Sequence, residues 1–155
     1  ALAVATAEAI AYGEAFMAQI VRNAKALAEA LDARGIPMLG RHKGFTTTHQ
    51  AIADVRGAGR GLACAQALER ANIIVNKNLL PTDAPKDWDY PGGLRMGTIE
   101  MTRYGMKEPE MVAIAEMIAR VIVRGERPET VKDDALALRA GFRTLYYCFE
   151  TGLPG

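Results

Sequence analysis

The sequence has 155 residues, 50% of them apolar and 24% charged, which is ordinary globular composition with enough chain for one domain and its core. Its 19 Lys and Arg against 18 Asp and Glu leave a net charge of +1 and no basic block able to neutralise a phosphate backbone, so nucleic acid is not expected as a partner. Cys64 and Cys148 lie far apart and form no CxxC or His/Cys ligand cluster, which reads as a reduced, cytoplasmic protein without a metal site.

The opening run ALAVATAEAIAYGEAFMAQIV carries Glu8 and Glu14 and no basic leader, which argues against a signal peptide and a membrane span. It starts inside an apolar helical pattern with no cap before it and reads as the C-terminal piece of something longer. Strong helix formers continue from Leu2 to about Arg34, broken only by Gly13, and stop at Gly35 and Pro37. Ile20, Ala24, Leu27 and Leu31 recur at helical spacing, with Arg22, Lys25, Glu29 and Asp32 opposite. One or two amphipathic helices are predicted here, with a kink available at Gly13.

Ile36–Leu39 is a strand candidate, the stretch from Thr46 to Val55 is β-prone, and Ile73–Val75 is a compact apolar run. Between the last two, LACAQALERA (Leu62 to Ala71) predicts a helix with a Gly-rich entrance at Gly57, Gly59 and Gly61. PTDAPKDWDYPGG, from Pro81 to Gly93, is a surface loop. Leu94 to Thr98 follows as a strand with Leu94 and Met96 on one face and Arg95 and Gly97 on the other. A helix is predicted from about Glu108, with Pro109 in its first turn and Met111, Ile114, Ala115, Ile118 and Ile122 as its apolar stripe. Pro128 opens a last helix lined by Leu138, Phe142, Leu145, Tyr146 and Phe149. This interleaving of helices and strands belongs to an α/β or α+β layer.

No phosphate loop, HExxH, GxSxG or GxGxxG is present. His42, between Arg41 and Lys43, reads as a solvated residue, and His49, at the start of a β-prone run, as a structural one. Arg95 is the sharpest feature. Set in GGLRMG, its guanidinium either meets a carboxylate bidentately in the space left by the flanking glycines or lies exposed to water on an edge strand. Asn76 and Asn78, in IIVNKNLLP, suit a turn, and the polar neighbours of Lys77 do not provide the apolar or cationic setting that activates a lysine.

Taken in order, YGEAFMAQIVRNAKALAEALDARG, GFTTTHQAIADV, ANIIVNKNLLP and GGLRMGTIEMTRYGMKEPEM resemble the C-terminal part of serine hydroxymethyltransferase across nearly the whole chain. The short link after GEAF, the wording GFTTTHQ and the tail LRAGFRTLYYCFE are most similar to the archaeal-type branch. The resemblance implies an α+β unit: the small C-terminal domain of a fold-type I, aspartate-aminotransferase-like transferase that uses pyridoxal 5'-phosphate, a small sheet covered by helices. Residues 1–34 would form the helix leading to a large domain, and 35–155 the small domain itself.

By the same resemblance Arg95 holds the substrate α-carboxylate, Asn78 contributes to the reduced-pterin site, and His49 is a structural neighbour of the active-site layer. The Schiff-base lysine, the phosphate-binding residues and the groups facing the cofactor ring belong to the large domain. No catalytic residue is therefore expected within these positions, and the chain alone is expected to be inactive. Bacterial and eukaryotic members carry Ser-Pro-Phe before the arginine, whereas this loop reads APKDWDYPGG, which leaves tetrahydrofolate and tetrahydromethanopterin both open. The expected whole is a cytoplasmic homodimer that interconverts serine and glycine. The alternatives are a 2-methylserine hydroxymethyltransferase or threonine-aldolase-like enzyme, and a non-catalytic stand-alone interaction domain.

Overall fold

Helix α1 (Leu2–Asp32) runs unbroken through Gly13, because the alanines and long unbranched side chains around that glycine carry the helix across it. It closes on Gly35, whose left-handed φ of 85° lets the Ile36 N–H reach back 3.1 Å to the Leu31 carbonyl. The structure, a computed structural model, describes residues 1–149. Positions 150–155, the end of the expected 35–155 unit and of its tail motif, lie outside the described residues.

After α1 come strand β1 (Gln50–Asp54), helix α2 (Arg60–Arg70), and strands β2 (Asn76–Asn78) and β3 (Gly93–Gly97). Helices α3 (Ile99–Arg103), α4 (Glu108–Ile122) and α5 (Pro128–Ala140) follow. The strands form an antiparallel sheet in the order β1-β3-β2, with Arg95 opposite Ile52 on one side and Asn76 on the other. This is the α+β arrangement expected, a small sheet with helices packed on one face. Leu94, Met96, Ala51 and Ala53 point to that face and join Leu27, Leu31, Leu68, Met111 and Ile118 in one apolar core. The opposite face carries Arg95, Gly97, Gln50, Ile52, Asp54, Asn76 and Asn78, all half-buried or exposed.

Three expectations are corrected. The Ile36–Leu39 strand shrinks to a single bridge, Met38 to Ala53, because Pro37 has no N–H to extend the ladder. The second strand is not Ile73–Val75 but the next three residues. Asn72 turns left-handed (φ 61°) after α2, and Ile73 N–H returns to the Leu68 carbonyl at 2.9 Å, so the apolar run is spent crossing from helix to sheet. The last helix stops at Ala140, so Leu145, Tyr146 and Phe149 do not share a helical face with Leu138. The chain beyond it folds back along α1 instead, where Tyr147 stacks on Phe16 (ring centroids 4.9 Å apart) and Phe149 meets Tyr12 edge-on at 5.6 Å. Glu8 ties this return, accepting from Arg103 Nη2 at 2.8 Å and from the Phe149 N–H at 3.1 Å. The Arg103 guanidinium holds the Glu8 carboxyl below its ordinary range.

Candidate functional site

Arg95 sits at the centre of β3, half-buried on the face away from the core. Arg22, Arg34, Arg56, Arg103 and Arg120 each hold a carboxylate within 3.2 Å, whereas the Arg95 guanidinium has no hydrogen bond or ion pair among the described residues. A guanidinium fixed on a strand and left with its donors free is a fork waiting for a planar anion. The glycines on either side differ. Gly97 borders open space, but at Gly93 a Cβ would stand 2.6 Å from Leu80 Cδ2 and 2.9 Å from the Asn78 carbonyl. The space beside Arg95 is therefore open on the Gly97 side only.

The register brings Asn78 to the same face. It pairs with Gly93, one diagonal step from Arg95, a spacing of about 7–8 Å between such neighbours. Its Nδ2 donates to the Leu79 carbonyl at 2.6 Å, leaving Oδ1 without a partner among the described residues. Asn76, read from sequence as a turn residue, stands directly opposite Arg95 and is exposed. Its position became visible only once NKN proved to be the strand. His49 lies one residue before β1, where its carbonyl accepts the Thr98 N–H at 3.1 Å, so its main chain is the structural element. Lys77 donates to the carbonyls of Trp88 (3.3 Å) and Asp89 (3.0 Å) and is occupied as a loop brace. His42 is exposed in a 3₁₀ turn, Arg41–Lys43.

Both ends of β3 are pinned. At its start, Asp83 Oδ2 accepts from the Leu80 N–H at 2.9 Å and the Gly92 N–H at 2.7 Å. These two bonds hold the carboxyl below its ordinary range, and the charges of Arg60 and Arg56 add to the effect. Arg60 Nε donates to the Tyr90 carbonyl at 2.6 Å. Helix α2 crosses so closely that a Cβ on Gly61 would stand 2.3 Å from the Gly93 carbonyl oxygen, which is why a glycine occupies that position.

At the other end lies a buried polar network that the sequence reading did not single out. Thr98 Oγ1 donates to the Ile20 carbonyl of α1 at 3.0 Å, and Thr102 Oγ1 donates to the Thr98 carbonyl at 2.7 Å. Asn23 Nδ2 donates to Thr102 Oγ1 at 2.8 Å and to the Met106 carbonyl at 2.9 Å, while Asn23 Oδ1 accepts from Gln19 Nε2 at 2.9 Å. Gln19 and Arg22 then reach Glu108, whose carboxyl is held low first by its own N–H at the start of α4 and then by those two side chains. The one sequence signal was Asn23 itself, a polar residue within the apolar stripe of Ile20, Ala24 and Leu27.

Among the described residues, no group of three potential metal ligands and no helix long and apolar enough to cross a membrane is present. Cavities of about 470 and 330 Å³ lie beside Asp54–Ala58 and under α4 and α5, and neither is lined by Arg95 or Asn78. Arg95 itself lies apart from both.

Residues 1–118 match the family model described as serine hydroxymethyltransferase. The serine hydroxymethyltransferase of Korarchaeum cryptofilum is 47% identical over 154 residues, covering 98% of this chain and 36% of that protein. Those of Thermococcus kodakarensis and Methanopyrus kandleri are each 49% identical, covering 97% and 99% of this chain and 36% of theirs. Among solved structures, an L-threonine transaldolase from Pseudomonas fluorescens matches with a TM-score of 0.85 and 31% identity, over 97% of this chain and 34% of that one. The chain spans about a third of the length of the curated relatives it matches.

Proposed function

The chain belongs to the serine hydroxymethyltransferase family, and from that premise we propose that it supplies the carboxylate-binding part of an enzyme interconverting serine and glycine with transfer of a one-carbon unit to a reduced pterin. The observation that carries this reading is Arg95: a strand-borne guanidinium, unpaired among the described residues, on the face of the sheet that the helices leave free.

Arg95 grips the substrate α-carboxylate through two parallel N–H donors and so fixes how the amino acid is presented. Asn78, diagonal to it, offers its free Oδ1 to a donor group of the pterin. The backbone at His49 holds the neighbouring strand in register. Pyridoxal 5'-phosphate, bound by residues outside this chain, supplies the electron sink for breaking the Cα–Cβ bond. Lys77 is committed to two carbonyls and does not serve as its Schiff-base lysine, which the large domain supplies, and the chain by itself is inactive. Residues 1–34 form the helix that leads to the large domain, 35–155 form the small domain, and the whole acts as a cytoplasmic homodimer.

The test is serine turnover by the full-length protein that carries these residues, with tetrahydrofolate, with tetrahydromethanopterin and with neither. Pterin-dependent transfer of the hydroxymethyl carbon is expected with one of them; its absence with both overturns the reading. The likeness to the L-threonine transaldolase supports a second reading, a threonine-aldolase-like enzyme in which the same arginine holds a longer β-hydroxy amino acid. Cleavage of threonine faster than serine, with no pterin required, would favour it.

A further inference from the structure

We propose that Thr98 is a positioning residue that sets Arg95 by fastening the end of its strand to α1 and to the backbone at His49. This rests on the reading of Arg95 as the carboxylate-binding residue. Thr98 is 1% exposed and every polar group it owns is used. Its N–H goes to the His49 carbonyl at 3.1 Å and its hydroxyl to the Ile20 carbonyl at 3.0 Å, and its carbonyl accepts both the N–H and the hydroxyl of Thr102, at 3.0 and 2.7 Å. Between it and Arg95 lie Met96, which is buried and paired with Ala51 of β1, and Gly97, which is exposed, stands opposite Gln50 and has no side chain to hold it. Beyond the ladder with β1, the strand end is therefore fastened at Thr98, by hydrogen bonds to three segments at once.

An apolar residue of the same shape would fill the space equally well. What the hydroxyl adds is a fixed distance to one particular carbonyl of a rigid helix, and Asn23 braces Thr102 from that helix as well. Small rotations of the strand end are magnified along the arginine side chain, where bidentate capture tolerates little misplacement.

The experiment is a double-mutant cycle in the full-length holoenzyme. Thr98→Val is expected to raise KM for serine about fivefold to tenfold, the size of one lost hydrogen bond, with kcat changed less than about threefold. Thr98→Ser, which keeps the hydroxyl, is expected to restore KM. In an Arg95→Lys background, Thr98→Val is expected to add less than about twofold, because the two residues act through one contact. An unchanged KM in Thr98→Val, a failed rescue by serine, or effects of the two changes that simply multiply would each overturn the proposal. Should the valine variant not fold, Thr98→Ala carries the same readouts. If Arg95→Lys alone leaves KM and kcat untouched, it is the carboxylate reading that falls, a different result from independence of the two sites.

Discussion

Replacing Arg95 by alanine removes a guanidinium that no other residue among those described pairs with, so the loss falls on the ligand and not on the fold. On the proposal that Arg95 binds the substrate α-carboxylate, that carboxylate would be left desolvated and unpaired, which costs about 3–5 kcal/mol. In kcat/KM for serine that is roughly two hundred- to several thousand-fold. Arg95→Lys keeps the charge but surrenders one of two parallel bonds, about 1.5–3 kcal/mol, and so loses roughly ten- to 150-fold. Neither change should lower folding stability by more than about 1 kcal/mol, the span of strand propensity, because the side chain supports no internal bond. Steady-state kinetics on the full-length variants, with urea midpoints as the control, separates these effects. A change in kcat/KM below about threefold in both variants, with the fold intact, would refute the argument from the free guanidinium.

Asn23→Ala is expected to cost about 2–3 kcal/mol, because it strips the buried Met106 carbonyl and Thr102 hydroxyl of a donor; a shift below about 0.5 kcal/mol in urea unfolding would show the network to be dispensable. Gly61→Ala forces a methyl against the Gly93 carbonyl oxygen, backbone that cannot step aside, and is expected to destabilise by about 1–3 kcal/mol and to weaken serine binding by shifting β3; an unchanged melting temperature would contradict it. Asp83 is held low by two backbone N–H donors, so its contribution to stability is present above its ordinary value of 3.8 and is lost as pH falls through its lower folded value. Asp83→Asn is therefore expected to flatten the acid limb of the stability curve below about pH 4, measured by urea midpoints across pH, and an identical limb in both proteins would refute it.

Alternation in LRMG placed Arg95 on the face away from the core, and the stripe of Met111, Ala115 and Ile118 gave α4 its buried side, because both signals are local. The errors arose where one segment's role depends on another's. NKN has no strand composition, and three residues suffice only because the central strand β3 offers them a ladder. The spacing of Leu138, Phe142, Leu145 and Phe149 mimics a helix face, but α5 ends at Ala140 and the rings of Tyr147 and Phe149 find α1 instead. The site's open side was half legible: glycine beside arginine promises room, and only packing reveals that Leu80 fills one of the two places. The threonine and asparagine network joins residues about 80 positions apart, which no periodicity reports.

Helix α1 is a rod of 31 residues, about 46 Å long at 1.5 Å per residue. Its grip on the sheet begins near Gln19, and the first half carries exposed Leu2, Val4, Ile10 and Met17. That half is a lever arm of roughly 25 Å, on which a swing of about 5° at the fulcrum moves the tip by roughly 2 Å. The Glu8 carboxylate, held by Arg103 from the α3 side and by the returning chain at Phe149, then works as a guy-line partway along the arm. The stacking of Tyr147 on Phe16 and the edge-on contact of Phe149 with Tyr12 add two further stays, so the alignment of the tip to Arg95 is set by the returning chain.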